Sequence, residues 1–167
     1  MKRRLLDNSF FFLAALIIAF AGLRMVLGLG VAPKPALFAG SAATLVDALQ
    51  QAQTEHKVVF AFATADWCGP CQIYKRGALA DPRVAAWVKE HAKPVYINID
   101  KEQSEAAALA VAGIPATMIL TPEGKMVGRI EGAFGADALI RWLDAALAQV
   151  DASQATGDSN SANGTGS

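Results

Sequence analysis

Two thiols separated by two residues, Cys68 and Cys71 in "ADWCGPC", are the side chains of this sequence best suited to chemistry, and they are its only cysteines. Such a pair can be a redox couple, half of a metal site, or two inert side chains. A tetrahedral zinc site needs two further ligands. The chain has no second Cys-x-x-Cys, and its only histidines, His56 and His91, fall at predicted element ends. Thiols this close oxidise readily in an exported domain. The redox reading leads, with no metal and no cofactor expected, and the other two stay open as lesser readings.

What the pair can do depends on what holds it. Val58 to Phe62 is a continuous apolar run, as in a strand buried on both faces. The cysteines follow its end, and Cys71 to Leu79 reads as a helix. At a strand-to-helix junction, free backbone N–H groups and the helix dipole favour a thiolate. A Cys-x-x-Cys thiol can fall there from about 8.5 towards roughly 7 or below, and the thiolate is the species that attacks a disulfide. Cys68 is thus the expected nucleophile. Cys71, about one helical turn on and more buried, suits release of the product. Pro70 fits a first helical turn, where its missing N–H costs nothing.

The remaining elements alternate. Thr44 with Asp47 forms a variant capping box ahead of Leu45, Leu49 and Ala52 at helical spacing. Asp81-Pro82 opens a helix through Val84, Trp87 and Val88. Val95, Ile97 and Ile99 alternate as in a strand. Asp100 with Gln103 opens a helix that ends near Gly113. Thr117–Leu120 and Met126–Glu131 are strands joined by "TPEGK". Leu139, Leu143, Ala146, Leu147 and Val150 share one face of a last helix. This order predicts an α/β fold whose central sheet is mixed and flanked by helices on both faces.

Outside residues 41–150, three segments read differently. Residues 1–30 carry Lys2, Arg3 and Arg4 before an apolar span, Phe10 to Leu29, which is about long enough to cross a membrane. The basic flank favours the cytoplasm, which puts the rest on the exported side of the inner membrane. A cleaved signal ending near Ala21 is the alternative. Residues 31–40, with Pro33 and Pro35, read as a stiff linker. Residues 151–167 are mostly Ser, Asn, Gly, Thr and Ala, the composition of a disordered tail. Formal net charge is zero. No basic run with interleaved aromatics points to nucleic acid.

Together "ADWCGPC", "GIPAT" some forty-five residues on, and "EGKMVGRIEG" resemble the thioredoxin superfamily, over about Thr44 to Val150. The resemblance implies a thioredoxin fold and a thiol–disulfide oxidoreductase. It implies a cis Ile114–Pro115 bond beside the cysteines, whose backbone pairs with an extended substrate segment. On the residues alone, Pro115 is also an ordinary strand-start proline. Trp67, Gly69, Pro70, Ile114 and Pro115 are the expected substrate-binding residues around Cys68 and Cys71. "DPRVAAWVKEHAKPVYINIDKE" resembles membrane-linked thioredoxin-like domains related to the C-terminal domain of the disulfide reductase DsbD.

The sequence departs from that pattern at two positions. Phe62 stands where the family usually has a buried Asp thought to handle the resolving cysteine's proton, and Tyr96 where it often has Lys. The Gly69-Pro70 pair resembles reducing members. The expected partners are disulfide-containing proteins and a thiol electron donor, such as a membrane reductase, with the N-terminal helix in the membrane. The alternative is a binding or assembly module of the cell envelope that uses the thiols to capture a partner.

Overall fold

The computed structural model describes residues 2–26 and 30–161, with side chains over 10–23 and 30–153. The chain divides into two units, 1–31 and 32–167. The first holds helix α1, Lys2–Val26. Its large described apolar side chains, among them Phe10, Phe11, Phe12, Leu16, Ile17 and Ile18, are exposed. Among the described residues no helix is long and apolar enough to cross a membrane. The expected span reaches into residues 27–29, which lie outside the described residues, as do the side chains of Lys2, Arg3, Arg4 and Arg24.

The second unit carries helices α2 (Leu45–Glu55), α3 (Gly69–Arg76), α4 (Pro82–His91), α5 (Gln103–Ala108) and α6 (Ala136–Ser161). Its strands are β1 (Val58–Thr64), β2 (Ala92–Asn98), β3 (Ala116–Leu120) and β4 (Met126–Glu131). The sheet runs β2-β1-β3-β4. β1 pairs parallel with β2, placing Phe62 opposite Tyr96, and antiparallel with β3, placing Ala63 opposite Ala116. β3 and β4 form the antiparallel hairpin that "TPEGK" predicts, with Gly124 at φ +86°, a conformation glycine adopts without strain. The sheet is therefore mixed.

Every residue of β1 is buried because helices cover both of its faces. Phe60 and Phe62 join a cluster with Phe38, Tyr74, Leu79, Val84, Leu139 and Leu143. Val59, Ala61 and Ala63 pack with Leu45, Ala48 and Ala52 of α2. Each large side chain buried in this way contributes about 1.5–3 kcal/mol. The Thr44 hydroxyl accepts from Asp47 N at 3.0 Å, and the Asp47 carboxylate accepts from Thr44 N at 3.2 Å. This reciprocal cap holds the start of α2.

Several boundaries differ from the sequence expectation. The linker reading of 31–40 is corrected: Ala32, Leu37 and Phe38 are buried, and Ala36–Phe38 is a 3-10 turn packed into the core. Pro33 and Pro35 stiffen the strand of chain that delivers these two side chains. α6 continues past Val150, the last buried residue of its apolar face, so the backbone is helical to Ser161 where a disordered tail was expected. Residues 162–167 lie outside the described residues. α3 begins at Gly69 because Cys68 is its cap, and gives way at Gly77 to a 3-10 turn, Ala78–Ala80. α5 ends before Gly113: Ala110 takes φ 48°, and Val111 N donates back to Ala106 O at 2.9 Å. Gly113 instead gives room to Glu131, since a Cβ there would lie 2.7 Å from its carboxylate.

Candidate active site

β1 delivers the chain to Ala65-Asp66-Trp67, and α3 starts at once. Cys68 is the N-cap residue, in extended conformation at φ −79°, ψ 103°, so its side chain faces the open end of the helix. Cys71 N donates to Cys68 Sγ at 3.2 Å. A backbone donor and the positive end of α3 thus both point at this sulfur, which favours its anion. Pro70 lies in the first turn. The two sulfurs form a disulfide, Sγ–Sγ 2.07 Å, with the Cα atoms 5.2 Å apart. Cys71 is fully buried and Cys68 nearly so, packed with Ala65, Ile99 and Ile114.

The register of the sheet brings the second part of the site to the first. Because Ala63 of β1 faces Ala116 of β3, the residues just before β3 lie beside those just after β1. The Ile114–Pro115 bond is cis, and the Ile114 carbonyl oxygen lies 3.9 Å from Cys68 Sγ. Pro115 O accepts from Gly132 N at 2.8 Å, which fixes this loop to the end of β4. Trp67 is 69% exposed, and its indole N–H donates to Asp100 at 2.9 Å, so the ring stands fixed beside the disulfide. Gly69 and Pro70 are exposed, and a Cβ on Gly69 would meet nothing within 4 Å. The surface over the cysteine turn is open to a substrate chain. The structure therefore gathers Trp67, Cys68, Gly69, Pro70, Cys71, Ile114 and Pro115 at one place.

Beneath them the surroundings are aromatic. Phe62 is fully buried, with ring centroids 5.9 Å from Phe38, 5.7 Å from Tyr74 and 5.7 Å from Tyr96. The nearest carboxylate by sequence, Asp66, is exposed, with Lys101 Nζ at 3.8 Å. Among the described residues no group of three or more His, Cys, Asp or Glu side chains gathers as a metal ion would require. His56 caps α2, and His91 ends α4 with its ring 5.0 Å from Trp87.

Two residues of the site escape the sequence reading. Gln72 is buried next to Cys71. Its Nε2 donates to Asp66 O at 3.0 Å and Ala65 O at 3.3 Å, and its Oε1 accepts from Ala32 N at 2.6 Å. One amide thereby ties the active-site loop, α3 and the chain at residue 32 together. Lys75 is only 3% exposed, and its Nζ donates to the Tyr96 hydroxyl at 3.4 Å. Burial pushes its ammonium below the ordinary lysine range; Asp66 pulls it back up and Arg76 adds to the lowering. Burial likewise raises the Tyr96 phenol, helped by Asp66. Both Gln72 and Lys75 read as surface by residue type; only Lys75, four residues after Cys71, carries a helical spacing that signals burial.

A disulfide of this kind, capping a helix beside a cis-proline loop, can carry out thiol–disulfide exchange. Solved structures share the fold: a DsbH oxidoreductase superposes with TM-score 0.59 at 22% identity, over 70% of this chain and 87% of that one. A thioredoxin from Thermus thermophilus does so with TM-score 0.55 at 24% identity, over 60% and 82%. Among curated proteins, the chain is 36% identical to Thioredoxin C-3 of Corynebacterium nephridii over 87 residues, 51% of this chain. It spans 55%, about half, of that relative's length. It is 39% identical to a thioredoxin of Mycolicibacterium smegmatis over 85 residues, 50% of this chain and 72% of that protein. The family model described as a thioredoxin-like domain matches residues 45–147, well over half of the sequence. With that match running from α2 into α6 and containing the cysteine turn, the chain belongs to the thioredoxin-like family.

Proposed function

We propose that this chain is an exported thiol–disulfide oxidoreductase that reduces disulfides in other proteins. The observation that carries the reading is Cys68 at the cap of α3, its sulfur met by Cys71 N at 3.2 Å and flanked by exposed Trp67 and the Ile114–Pro115 loop. In the reduced form, the Cys68 thiolate attacks one sulfur of a substrate disulfide. A mixed disulfide forms, and the first substrate thiolate leaves and takes a proton from water. Cys71 then gives up its proton to water and attacks Cys68 Sγ, the bond to substrate breaks, and the second substrate sulfur leaves and takes a proton from water to become a thiol. The substrate gains two electrons, and the Cys68–Cys71 couple loses them to become the disulfide. A thiol electron donor, in this reading a membrane reductase, returns the couple to its reduced form.

The Gly69-Pro70 pair between the cysteines, as in reducing members of the superfamily, supports the direction. Three basic residues at the start of α1, and the exposed apolar side chains further along it, support anchoring in the inner membrane with residues 32–167 on the periplasmic side.

The test is a Cys71→Ser variant of the full chain, expressed in cells and recovered under acid quench. Proteins trapped on Cys68 as a ladder of mixed disulfides, all lost in Cys68→Ser, are the expected result. No adducts, with a non-covalent partner retained after loss of both cysteines, would overturn it in favour of an envelope assembly module. Direction is read from the reduction potential: a value near about −270 mV supports a reductase, and one near about −120 mV an oxidant. Retention in membranes after an alkaline carbonate wash, with the intact N-terminus found by mass, is expected of the anchor. Release, with a terminus near Ala21, would mean signal cleavage.

A further inference from the structure

Exchange at Cys68 and Cys71, as proposed above, needs the buried Cys71 thiol to ionise, and with Phe62 beneath the site no carboxylate among the described residues is buried to assist it. What the structure places near Cys71 instead is a buried cation. Cys71 and Lys75 are four residues apart on α3, hence on the same face one turn apart, with Cβ atoms at roughly 5–6 Å. Both are buried, at 0% and 3% exposure. Long helical side chains run back over the preceding turn, so the Lys75 stem leads towards Cys71 and Gln72. Its ammonium is held by the Tyr96 hydroxyl, contributed by β2 opposite Phe62.

The other charges around it are accounted for. Asp66, on the active-site loop, attracts the ammonium, and Arg76 on α3 repels it. Lys34 stands over the Tyr96 ring at 5.2 Å, and the Glu102 carboxylate adds to the raising of the Tyr96 phenol. Lys101 faces Asp66. A lysine whose only duty was solubility would put its head in water and bury its stem alone; this one is covered whole.

We propose that the Lys75 ammonium is the electrostatic partner of the Cys71 thiolate during the resolving step, held in place by Tyr96. The negative charge that appears on Cys71 as its proton passes to water is balanced from within α3. It is then passed, as the Cys71–Cys68 bond forms, to the departing substrate sulfur, which takes a proton back from water. The Cys71 anion, rather than a neighbouring base, carries the step, and Phe62 can be apolar without stopping it.

The test reads ionisation of Cys71 directly and does not depend on the direction of exchange or on any substrate. In full-length protein carrying Cys68→Ser, the rate of Cys71 alkylation by iodoacetamide is followed from pH 5 to 11. Adding Lys75→Met is expected to slow alkylation at pH 7 about tenfold, the lower end for loss of an opposite charge at this range, with the high-pH plateau unchanged. Lys75→Arg is expected to restore the rate to within about twofold of the parent, as returning an opposite charge should. Tyr96→Phe should slow it less than Lys75→Met does. A changed plateau with an unmoved midpoint would show that Lys75 only gates access and would overturn the proposal. So would Lys75→Met that titrates as the parent does, or an Arg variant that behaves as Met. If Lys75→Met does not fold, Lys75→Gln carries the same expectation, and an unmoved midpoint there overturns it equally.

Discussion

On one face of β1, Val59, Ala61 and Ala63 meet Leu45, Ala48 and Ala52 of α2; on the other, Phe60 and Phe62 meet Phe38, Tyr74 and Tyr96 beneath α3 and α4. The small side chains let α2 lie close to the sheet, so that face gains stability from tight approach. The aromatic face fills a deeper layer, and the helix resting on it carries the cysteines. Bulk and chemistry compete for the same space there. The consequence is that ionisable groups leave the centre of the sheet and gather at its β2 side, where Tyr96 and Lys75 meet. The contrast teaches that one strand can be uniformly buried and still serve two distinct ends.

Three substitutions sharpen or break this contrast. Phe62→Ala has the largest expected effect, a loss of about 3–5 kcal/mol from the cavity left among three aromatic rings. Chemical denaturation measures it. Ala61→Leu tests the other face: forcing three more carbons between β1 and α2 should cost about 1–3 kcal/mol. If Ala61→Leu proves neutral, α2 is not closely seated and the contrast fails.

Tyr74→Phe is the smallest of the three. It removes a hydroxyl 3.2 Å from the Thr117 hydroxyl and should cost about 1–2 kcal/mol at neutral pH. Its sharper signature is alkaline. Burial pushes the Tyr74 phenol from 10.0 up to about 12, so between those values the unfolded chain releases a proton that the folded one keeps. This contribution is complete below pH 10 and is lost as the pH rises towards 12. Thermal melts between pH 9 and 11.5 should fall less steeply in Tyr74→Phe than in the parent. Equal slopes would mean that the aromatic layer admits solvent.

Where apolar periodicity was strong, the sequence was enough: β1, the β3–β4 hairpin, the Thr44 cap and the apolar face of α6 all lie where their patterns predict. The cysteine turn was legible for the same reason, since a motif at the end of a buried strand has few places to go. Leu37 and Phe38 were not, because two prolines nearby carry the signature of a linker while saying nothing about where the next side chains point. Lys75 and Gln72 were missed because polar residues are assigned to the surface by type. Their burial follows from tertiary partners, Tyr96 and the chain at Ala32, distant in sequence. The departure at Phe62 could be read from the sequence. What replaces it could not, since that depends on a register that sets Tyr96 opposite it.

β2 is an outer strand of the sheet, and an outer strand offers its unused backbone groups to any other chain that can lie alongside. Here that row is broken. Pro94, midway along β2 opposite Phe60, contributes no N–H, and Ala42 of the segment before α2 already bridges to Val95 in parallel. A second molecule approaching this side finds no uninterrupted ladder to extend, which disfavours strand addition at that border. The residues that lead into α2 therefore act as a selvedge, finishing the cloth of the sheet so that it does not fray into its neighbours.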